Sequence, residues 1–222
     1  SRKLQLKNAM KLKFDQILVP IANLLIADDQ IKNIDFENAF FVNVMFHEVA
    51  HGLGVKFTIN ENKKSVRDAL GDTYSTIEEA KADMLGLYLV TMLHDMGEIE
   101  NQDLMNNYVT FLAGIFRSVR FGASEAHGKA NMMEFAWLKE NNAFTKDEQT
   151  GKYSVDLAKM QDAVKAFVTK VIVLQGDGNK TEIDNWIKEK SIVTDDLQKD
   201  LDKIRDAGIP KDIVYRQGAD VL

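Results

Sequence analysis

The chain contains no cysteine and only two prolines, Pro20 and Pro210. Without cysteine, a disulfide framework, a thiolate metal site and a cysteine nucleophile are all excluded, although the cellular compartment is not fixed. Proline is the residue that most often interrupts a helix, so its scarcity leaves long stretches free to form helices.

Basic charge and long apolar runs are also lacking. The formal net charge is -6, which argues against a dedicated nucleic-acid-binding protein, because such proteins present a basic surface. No apolar run approaches the roughly 20 residues that span a bilayer, and no signal-like segment opens the chain. The chain starts at Ser1 within a helical pattern, so we expect a fragment of a longer protein. The cytoplasm is favoured, while the cell envelope or secretion stays open because the N-terminus looks truncated.

The dominant period of the sequence is helical. Apolar residues recur at three-and-four spacing over residues 10–25 and 157–171. Further helices are predicted at about 102–119 and 124–140, whereas 144–155 is typical of a hairpin or long turn. No repeat and no linker interrupts the chain. The sequence therefore predicts one domain over all 222 residues, all-α or mainly α with at most a short hairpin.

Capping residues indicate where several helices begin. Ser75 followed by Glu78 forms a capping-box pattern, which predicts a helix from there to about Met96. Ser154 is predicted to cap the helix after the hairpin, and the last helix is predicted to run from Thr194.

The clearest chemical motif is His-Glu-Val-Ala-His at residues 47–51. His47 and His51 are four positions apart, so on a helix both imidazoles project from one face and can bind one ion. Glu48 lies beside that pair, near enough to take a proton from water without being a ligand. This is the H-E-x-x-H pattern of zinc peptidases. Two surface histidines with a solvated glutamate would give the same letters, but the apolar residues before the motif favour a buried site.

A catalytic zinc ion needs a third protein ligand and an open position. The segment E-E-A-K-A-D at residues 78–83 offers carboxylates on a second helix. Glu79 and Asp83 share a face, so one can bind the metal while the other accepts the free ring N–H of a histidine. Adjacent residues on a helix point about 100° apart, and we predict Glu79 rather than Glu78 as the ligand because Asp83 follows it one turn later. The alternative is a solvated acidic helix start.

The same letters permit another kind of metal site. Glu48 and His51 also form an E-x-x-H pattern, as in carboxylate-bridged di-iron bundles. Those sites need a second E-x-x-H, and the chain contains none. Zinc is therefore the metal that the sequence favours.

Three segments occur in an order that resembles a known family: H-E-V-A-H-G-L-G at 47–54, E-E-A-K-A-D at 78–83 and R-F-G-A-S-E-A-H-G-K at 120–129. They are similar to the dipeptidyl-peptidase-III-like zinc hydrolases, particularly the branch fused to Nudix domains. Two segments near the termini, residues 3–10 and 208–213, also resemble that branch. The resemblance implies a mostly helical, zinc-bearing catalytic lobe. A second lobe and a Nudix domain are the implied partners outside this chain.

The resemblance also implies roles for individual residues. The zinc ligands it implies are His47, His51 and Glu79. Glu48 would be the general base, Asp83 would support a ligand from behind, and His127 matches a histidine that the family places near the substrate carbonyl. The chain departs from dipeptidyl peptidase III in lacking one extra residue between the histidines, and in having Asn131 where an arginine is expected. Dipeptide release is therefore not carried over.

These features predict a zinc-dependent hydrolase of metallopeptidase type, acting on a peptide or small amide substrate. Zinc-activated water would attack the amide, with Glu48 as general base and His127 hydrogen-bonded to the developing oxyanion. The alternative is a non-catalytic zinc-binding scaffold or regulatory lobe that lacks the second half of its cleft.

Overall fold

The computed structural model describes residues 5–60, 63–99, 103–122 and 124–213. Residues 3, 4, 102 and 123, which belong to segments discussed above, lie outside these ranges. None of the helices within them combines the length and apolarity needed to cross a membrane. Ten α-helices form there: α1 Lys7–Lys13, α2 Val19–Leu25, α3 Phe41–Ala50, α4 Val66–Leu70, α5 Tyr74–Asp95, α6 Leu104–Val119, α7 Ala126–Glu140, α8 Leu157–Asp177, α9 Lys180–Lys190 and α10 Asp195–Asp206.

The two strands among the described residues form an antiparallel hairpin. Strand β1 spans Phe144–Lys146 and strand β2 spans Tyr153–Val155, with Phe144 opposite Val155. The Tyr153 hydroxyl donates a 2.7 Å hydrogen bond to the fully buried Asp200 of α10, which ties the hairpin to the end of the chain. The prediction of a mainly α fold with a short hairpin is confirmed.

Helix α5 is the central element of the fold and packs against α3, α7 and α8. Its buried residues include Ile77, Ala80, Ala82, Leu85 and Gly86, which do not fall on a single stripe. A helix with buried residues on most of its faces lies inside a fold rather than on its surface. Because this helix also carries the acidic segment 78–83, those carboxylates are brought into the interior.

The first apolar stripe, residues 10–25, forms α1 and α2, joined by a π-helical turn at Phe14–Leu18. Phe14, Ile17 and Ile21 of this stripe are buried. The π-helical turn ends just before Pro20, which lies in the first turn of α2. Proline lacks an N–H and disturbs the regular pattern of the preceding turn.

The two predicted caps are wrong, whereas the predicted start of the last helix is confirmed. Helix α5 begins at Tyr74, directly after a 3-10 turn at Gly71–Thr73, so Ser75 lies inside its first turn. Helix α8 is capped by Asp156, whose side chain accepts a hydrogen bond from the Lys159 N–H, while Ser154 pairs within the hairpin. Helix α10 begins at Asp195, directly after Thr194, whose side chain accepts a hydrogen bond from the Leu197 N–H.

Candidate metal centre

The H-E-x-x-H motif lies at the end of α3. His47 and Glu48 are in its last turn, and His51 follows directly with helical backbone angles of φ -59° and ψ -29°. Both imidazole rings therefore project to the same side, and their Nε2 atoms are 3.1 Å apart. The ring planes are nearly perpendicular, at 88°. The four-residue spacing thus brings two ring nitrogens to one point.

A glycine lets α5 approach this motif closely. A Cβ atom on Gly86 would lie 2.7 Å from the backbone nitrogen of His47 and 2.9 Å from the carbonyl carbon of Phe46. Both distances are shorter than any side chain tolerates, so the two helices contact each other backbone to backbone at this position. Glu79 and Asp83 lie seven and three residues before Gly86, on the same face of α5. The close crossing therefore brings both carboxylates beside the histidines.

Glu79 places a carboxylate oxygen at the point where the histidines meet. Its Oε2 lies 3.4 Å from Nε2 of His47 and 3.6 Å from Nε2 of His51. This oxygen is buried and has no hydrogen-bond partner among the described residues, an arrangement that costs free energy unless another group compensates. A tetrahedral zinc ion with ligand bonds of about 2.0–2.2 Å holds its ligand atoms about 3.3–3.5 Å apart. Two imidazoles and one carboxylate at this spacing fit zinc.

Each histidine of the motif contacts its own carboxylate through Nδ1. Nδ1 of His47 lies 2.6 Å from Oδ1 of Asp83, and Nδ1 of His51 lies 3.2 Å from Oε1 of Glu78. A proton on Nδ1 donated to a carboxylate leaves Nε2 as the free lone pair and fixes the orientation of the ring. The contact of Asp83 was predicted from the sequence. The contact of Glu78 was not, because only one of the two adjacent glutamates was expected to reach the site.

Glu78 is itself held by buried polar groups. Lys81 donates hydrogen bonds from Nζ to Oε1 of Glu78 at 2.7 Å and to the Leu53 carbonyl at 2.8 Å. Gln175 of α8 donates to the other oxygen of Glu78 at 3.2 Å. The lysine therefore balances the charge of Glu78 and fixes the chain that follows His51. The signal in the sequence was a lysine three residues after a glutamate, a spacing that places both on one helix face.

A second polar layer lies behind Asp83. Asn131 of α7 donates from its amide nitrogen to Oδ2 of Asp83 at 3.0 Å and to Oε2 of Glu134 at 2.8 Å. Glu134 is fully buried. Burial, followed by the negative charge of Asp83, holds the pKa of Glu134 well above its usual value. Glu134 was missed in the sequence, where its only signal is an isolated acid within the apolar run Met133 to Phe135.

The carboxylates favour a protonated His47 when no metal is bound. Burial opposes a charge on the ring, but Asp83 and Glu79 outweigh it and raise the pKa of His47 to about 10. Burial would likewise raise the pKa of Glu79, yet the neighbouring rings of His47, His127 and His51 lower it below its usual value. The cluster is therefore built to hold positive charge beside Glu79, and a metal ion would compete with the proton for His47.

Glu48 and His127 line a cavity next to this cluster. The cavity has a volume of about 260 Å³ and lies between α3, α6 and the start of α7. His127 places Nε2 3.1 Å from Oε2 of Glu79, with its side chain 66% exposed. His47, Glu79 and His127 thus also form a set whose candidate ligand atoms lie within 4.8 Å of one another. All six residues predicted for the site are therefore close together in the fold.

The fold and the cluster together define the class of protein: a mainly helical lobe with a candidate metal-binding site. This lobe resembles part of dipeptidyl peptidase III. The structure of DPP III from Caldithrix abyssi matches with a TM-score of 0.89 and 34% identity, over 94% of this chain and 40% of that one. Dipeptidyl-peptidase III from Corallococcus sp. strain EGB matches with a TM-score of 0.90 and 35% identity, over 96% and 39%. No protein-family profile matches the chain.

Among curated sequences, Nudix hydrolase 3 of Arabidopsis thaliana is 37% identical over 210 residues, which is 94% of this chain and 27% of that protein. The resemblance to dipeptidyl-peptidase-III-like proteins, and to the branch fused to Nudix domains, is therefore confirmed over nearly the whole chain. The chain spans only 27% to 40% of the length of these relatives.

Proposed function

We propose that this chain is the zinc-binding catalytic lobe of a metallopeptidase-type hydrolase. One observation carries the proposal: the Nε2 atoms of His47 and His51 converge on a buried oxygen of Glu79 that has no hydrogen-bond partner among the described residues. The carboxylates at the two Nδ1 atoms add support, since histidines that bind metals commonly donate their other N–H to such groups.

Besides His47, the metal needs a second imidazole ligand, for which His51 and His127 are the candidates. We assign this role to His51. The side chain of His51 is 22% exposed and contacts Glu78, which orients the ring. The side chain of His127 is 66% exposed and comes from a different helix, α7. A ligand side chain that is already oriented by a neighbouring carboxylate loses less conformational entropy on binding a metal than an exposed side chain does. His127 is then available to a substrate in the cavity.

Zinc, when bound, supplies a Lewis acid and lowers the pKa of water from about 15.7 towards 7. Glu48 follows His47 in the helix and points about 100° away from the face that binds metal, into the wall of the cavity. We assign Glu48 as the base that takes a proton from water and passes it to the leaving amine. His127 would donate a hydrogen bond from its ring to the developing oxyanion, a contact that can be worth about 3 kcal/mol.

The substrate proposed is a peptide or small amide, and the rest of the cleft is assigned to chain outside these 222 residues. The chain covers 40% of one DPP III structure and 27% of the Nudix-fused relative. A second lobe would therefore supply the opposite wall, with a Nudix domain as a further candidate partner. This coverage also favours one alternative, a zinc-binding scaffold lobe without its own activity.

The test replaces Glu48 by glutamine, which keeps size and hydrogen bonding but accepts no proton at neutral pH. Glu48→Gln should retain near-normal zinc while peptide turnover falls at least about 100-fold, with a much smaller change in KM. Glu140→Gln is the matched control, because Glu140 pairs with Lys190 on the surface, away from the cluster. Zinc and turnover are measured on this chain and on any longer form of the protein.

Full turnover in zinc-loaded Glu48→Gln would remove Glu48 as the base. Zinc binding without hydrolysis in every form of the protein would instead favour the scaffold alternative.

A further inference from the structure

The cavity beside the metal cluster has an uneven distribution of charge. Its walls are largely apolar, with Phe40 just before α3, Val44 in α3, and Phe111 and Ile115 in α6. The carboxylates of Glu48 and Asp83 also line it. Among the described lining residues, Arg117 near the end of α6 is the one arginine or lysine.

Arg117 is a partly buried cation whose charge is poorly compensated. Its Nε is buried and has no hydrogen-bond partner among the described residues. Burial lowers the pKa of Arg117, an effect that Asp212 partly opposes. Asp212, however, is paired with Lys13 at 2.8 Å. A guanidinium stays charged in proteins, and a buried charge without a close partner is costly unless a ligand supplies the counter-charge.

A carboxylate suits this position better than a phosphate. The planar guanidinium binds a carboxylate through two parallel hydrogen bonds. A phosphate carries nearly two negative charges at neutral pH, and this cavity offers one guanidinium beside the carboxylates of Glu48 and Asp83, of which Asp83 is already paired with His47. A ligand with a single negative charge and an adjoining apolar side chain matches both the charge and the walls.

We propose that Arg117 binds a carboxylate of the ligand and thereby selects carboxylate-bearing peptides or acyl amino acids. The role in substrate selection rests on the proposed function, because it assumes that the reaction takes place beside this cavity. The binding of the carboxylate itself needs no metal. The carboxylate can be a C-terminus or an acidic side chain. Both sources share the same chemistry, and two pairs of ligands distinguish them.

The experiment measures binding by calorimetry to this chain, with and without zinc. The first pair is N-acetyl-leucyl-leucine and its C-terminal amide. The second pair is the C-terminal amides of N-acetyl-leucyl-glutamate and N-acetyl-leucyl-glutamine. In at least one pair the carboxylate ligand should bind about tenfold or more tightly than its neutral partner, also without zinc, and the pair that shows the preference identifies the source.

Two variants and a control assign the preference to Arg117. Arg117→Gln should abolish the preference and leave the neutral ligand and zinc content unchanged, while Arg117→Lys should keep only part of it, because lysine lacks the planar fork. Arg120→Gln is the matched control. Arg120 is the C-cap residue of α6, the helix that contains Arg117, but its guanidinium donates to the carbonyls of Ile209 and Pro210. It should keep the full preference.

A second measurement on the unmodified chain does not depend on the variants folding. The NMR signal of the Arg117 Nε–H should shift on titration with the preferred carboxylate ligand and stay in place with its neutral partner. Equal affinity within both pairs, no detectable binding of either carboxylate ligand at millimolar concentration, or an unmoved Nε–H signal would overturn the proposal. Zinc content and hydrolysis are recorded separately, so a failure of the proposed function is distinguished from a failure at Arg117.

Discussion

At the scale of single residues, Glu78 and Glu79 reach different atoms of the same pair of histidines. Glu79 places Oε2 near both Nε2 atoms, whereas Glu78 contacts Nδ1 of His51. An imidazole ring has two nitrogens on different edges, so neighbouring residues that point about 100° apart can approach it from both sides. Loss of a ligand and loss of its support should therefore have different consequences.

Glu79→Gln should lose stoichiometric zinc, because it removes a proposed ligand charge. Glu78→Gln should keep the site but bind zinc about 10–100-fold more weakly, since it removes the group that orients His51. Competition with a chromophoric chelator measures both affinities. Unchanged affinity in Glu78→Gln, or a larger loss there than in Glu79→Gln, would reverse the assigned roles.

Glu134 gives a prediction about pH. Its pKa is raised above 4.5 in the folded chain, so the folded state keeps the carboxyl neutral while the unfolded chain ionises it. This difference favours folding fully below about pH 4.5 and is lost as pH rises towards the folded value. Glu134→Gln removes the effect, so its free energy of unfolding minus that of the parent should increase between pH 5 and 8. Urea titrations of the metal-free proteins that give a pH-independent difference would contradict this.

Local spacing explains which site residues could be predicted. Residues four apart, such as His47 with His51 or Glu79 with Asp83, share a helix face whatever the rest of the fold. Glu134 could not be assigned to the site, because Asn131, which links it to Asp83, reaches Asp83 only when α7 packs against α5.

At the scale of elements, the crossing of α3 and α5 depends on Gly86. An added Cβ would meet backbone atoms of His47 and Phe46 below 3 Å, and backbone atoms move only if a helix moves. Gly86→Ala should therefore destabilise the fold by about 1–3 kcal/mol and weaken zinc binding, because the carboxylates of α5 shift away from the histidines.

Gly114→Ala is the control for this prediction. A Cβ at Gly114, within α6, meets nothing within 4 Å, so alanine there should raise stability by about 0.5–1 kcal/mol through its better helix propensity. Urea unfolding and zinc competition measure both variants. Equal stability of the two would show that the close crossing is unimportant.

The helices themselves were largely predictable from apolar spacing, but the caps of α5 and α8 were not. Ser75 and Glu78 have the letters of a capping box, yet the chain enters α5 through a 3-10 turn and Ser75 falls inside the helix. The position of Gly86 in the sequence also gave no sign of the crossing, since the helix that it faces comes from a different part of the chain.

At the scale of the whole molecule, we propose that the site is half of a cleft. The metal-binding type of cluster and the cavity lie within this chain, while the relatives continue well beyond it. That residues 1–222 form one domain, and that a second lobe completes the cleft, stay predictions. The proposed zinc ligands, by contrast, lie in α3, directly after it and in α5, so zinc binding should be complete in this chain.

The most direct test is therefore the zinc content of the chain itself. Metal-free protein supplied with zinc and then desalted should retain about one zinc per chain by elemental analysis, with a higher Tm than the metal-free form, because metal bound only by the folded state adds to stability. His47→Ala should retain none, while His94→Ala should bind like the parent, since His94 lies near the other end of α5 beside Asp95. No retained zinc in the parent chain, or full zinc in His47→Ala, would contradict the account.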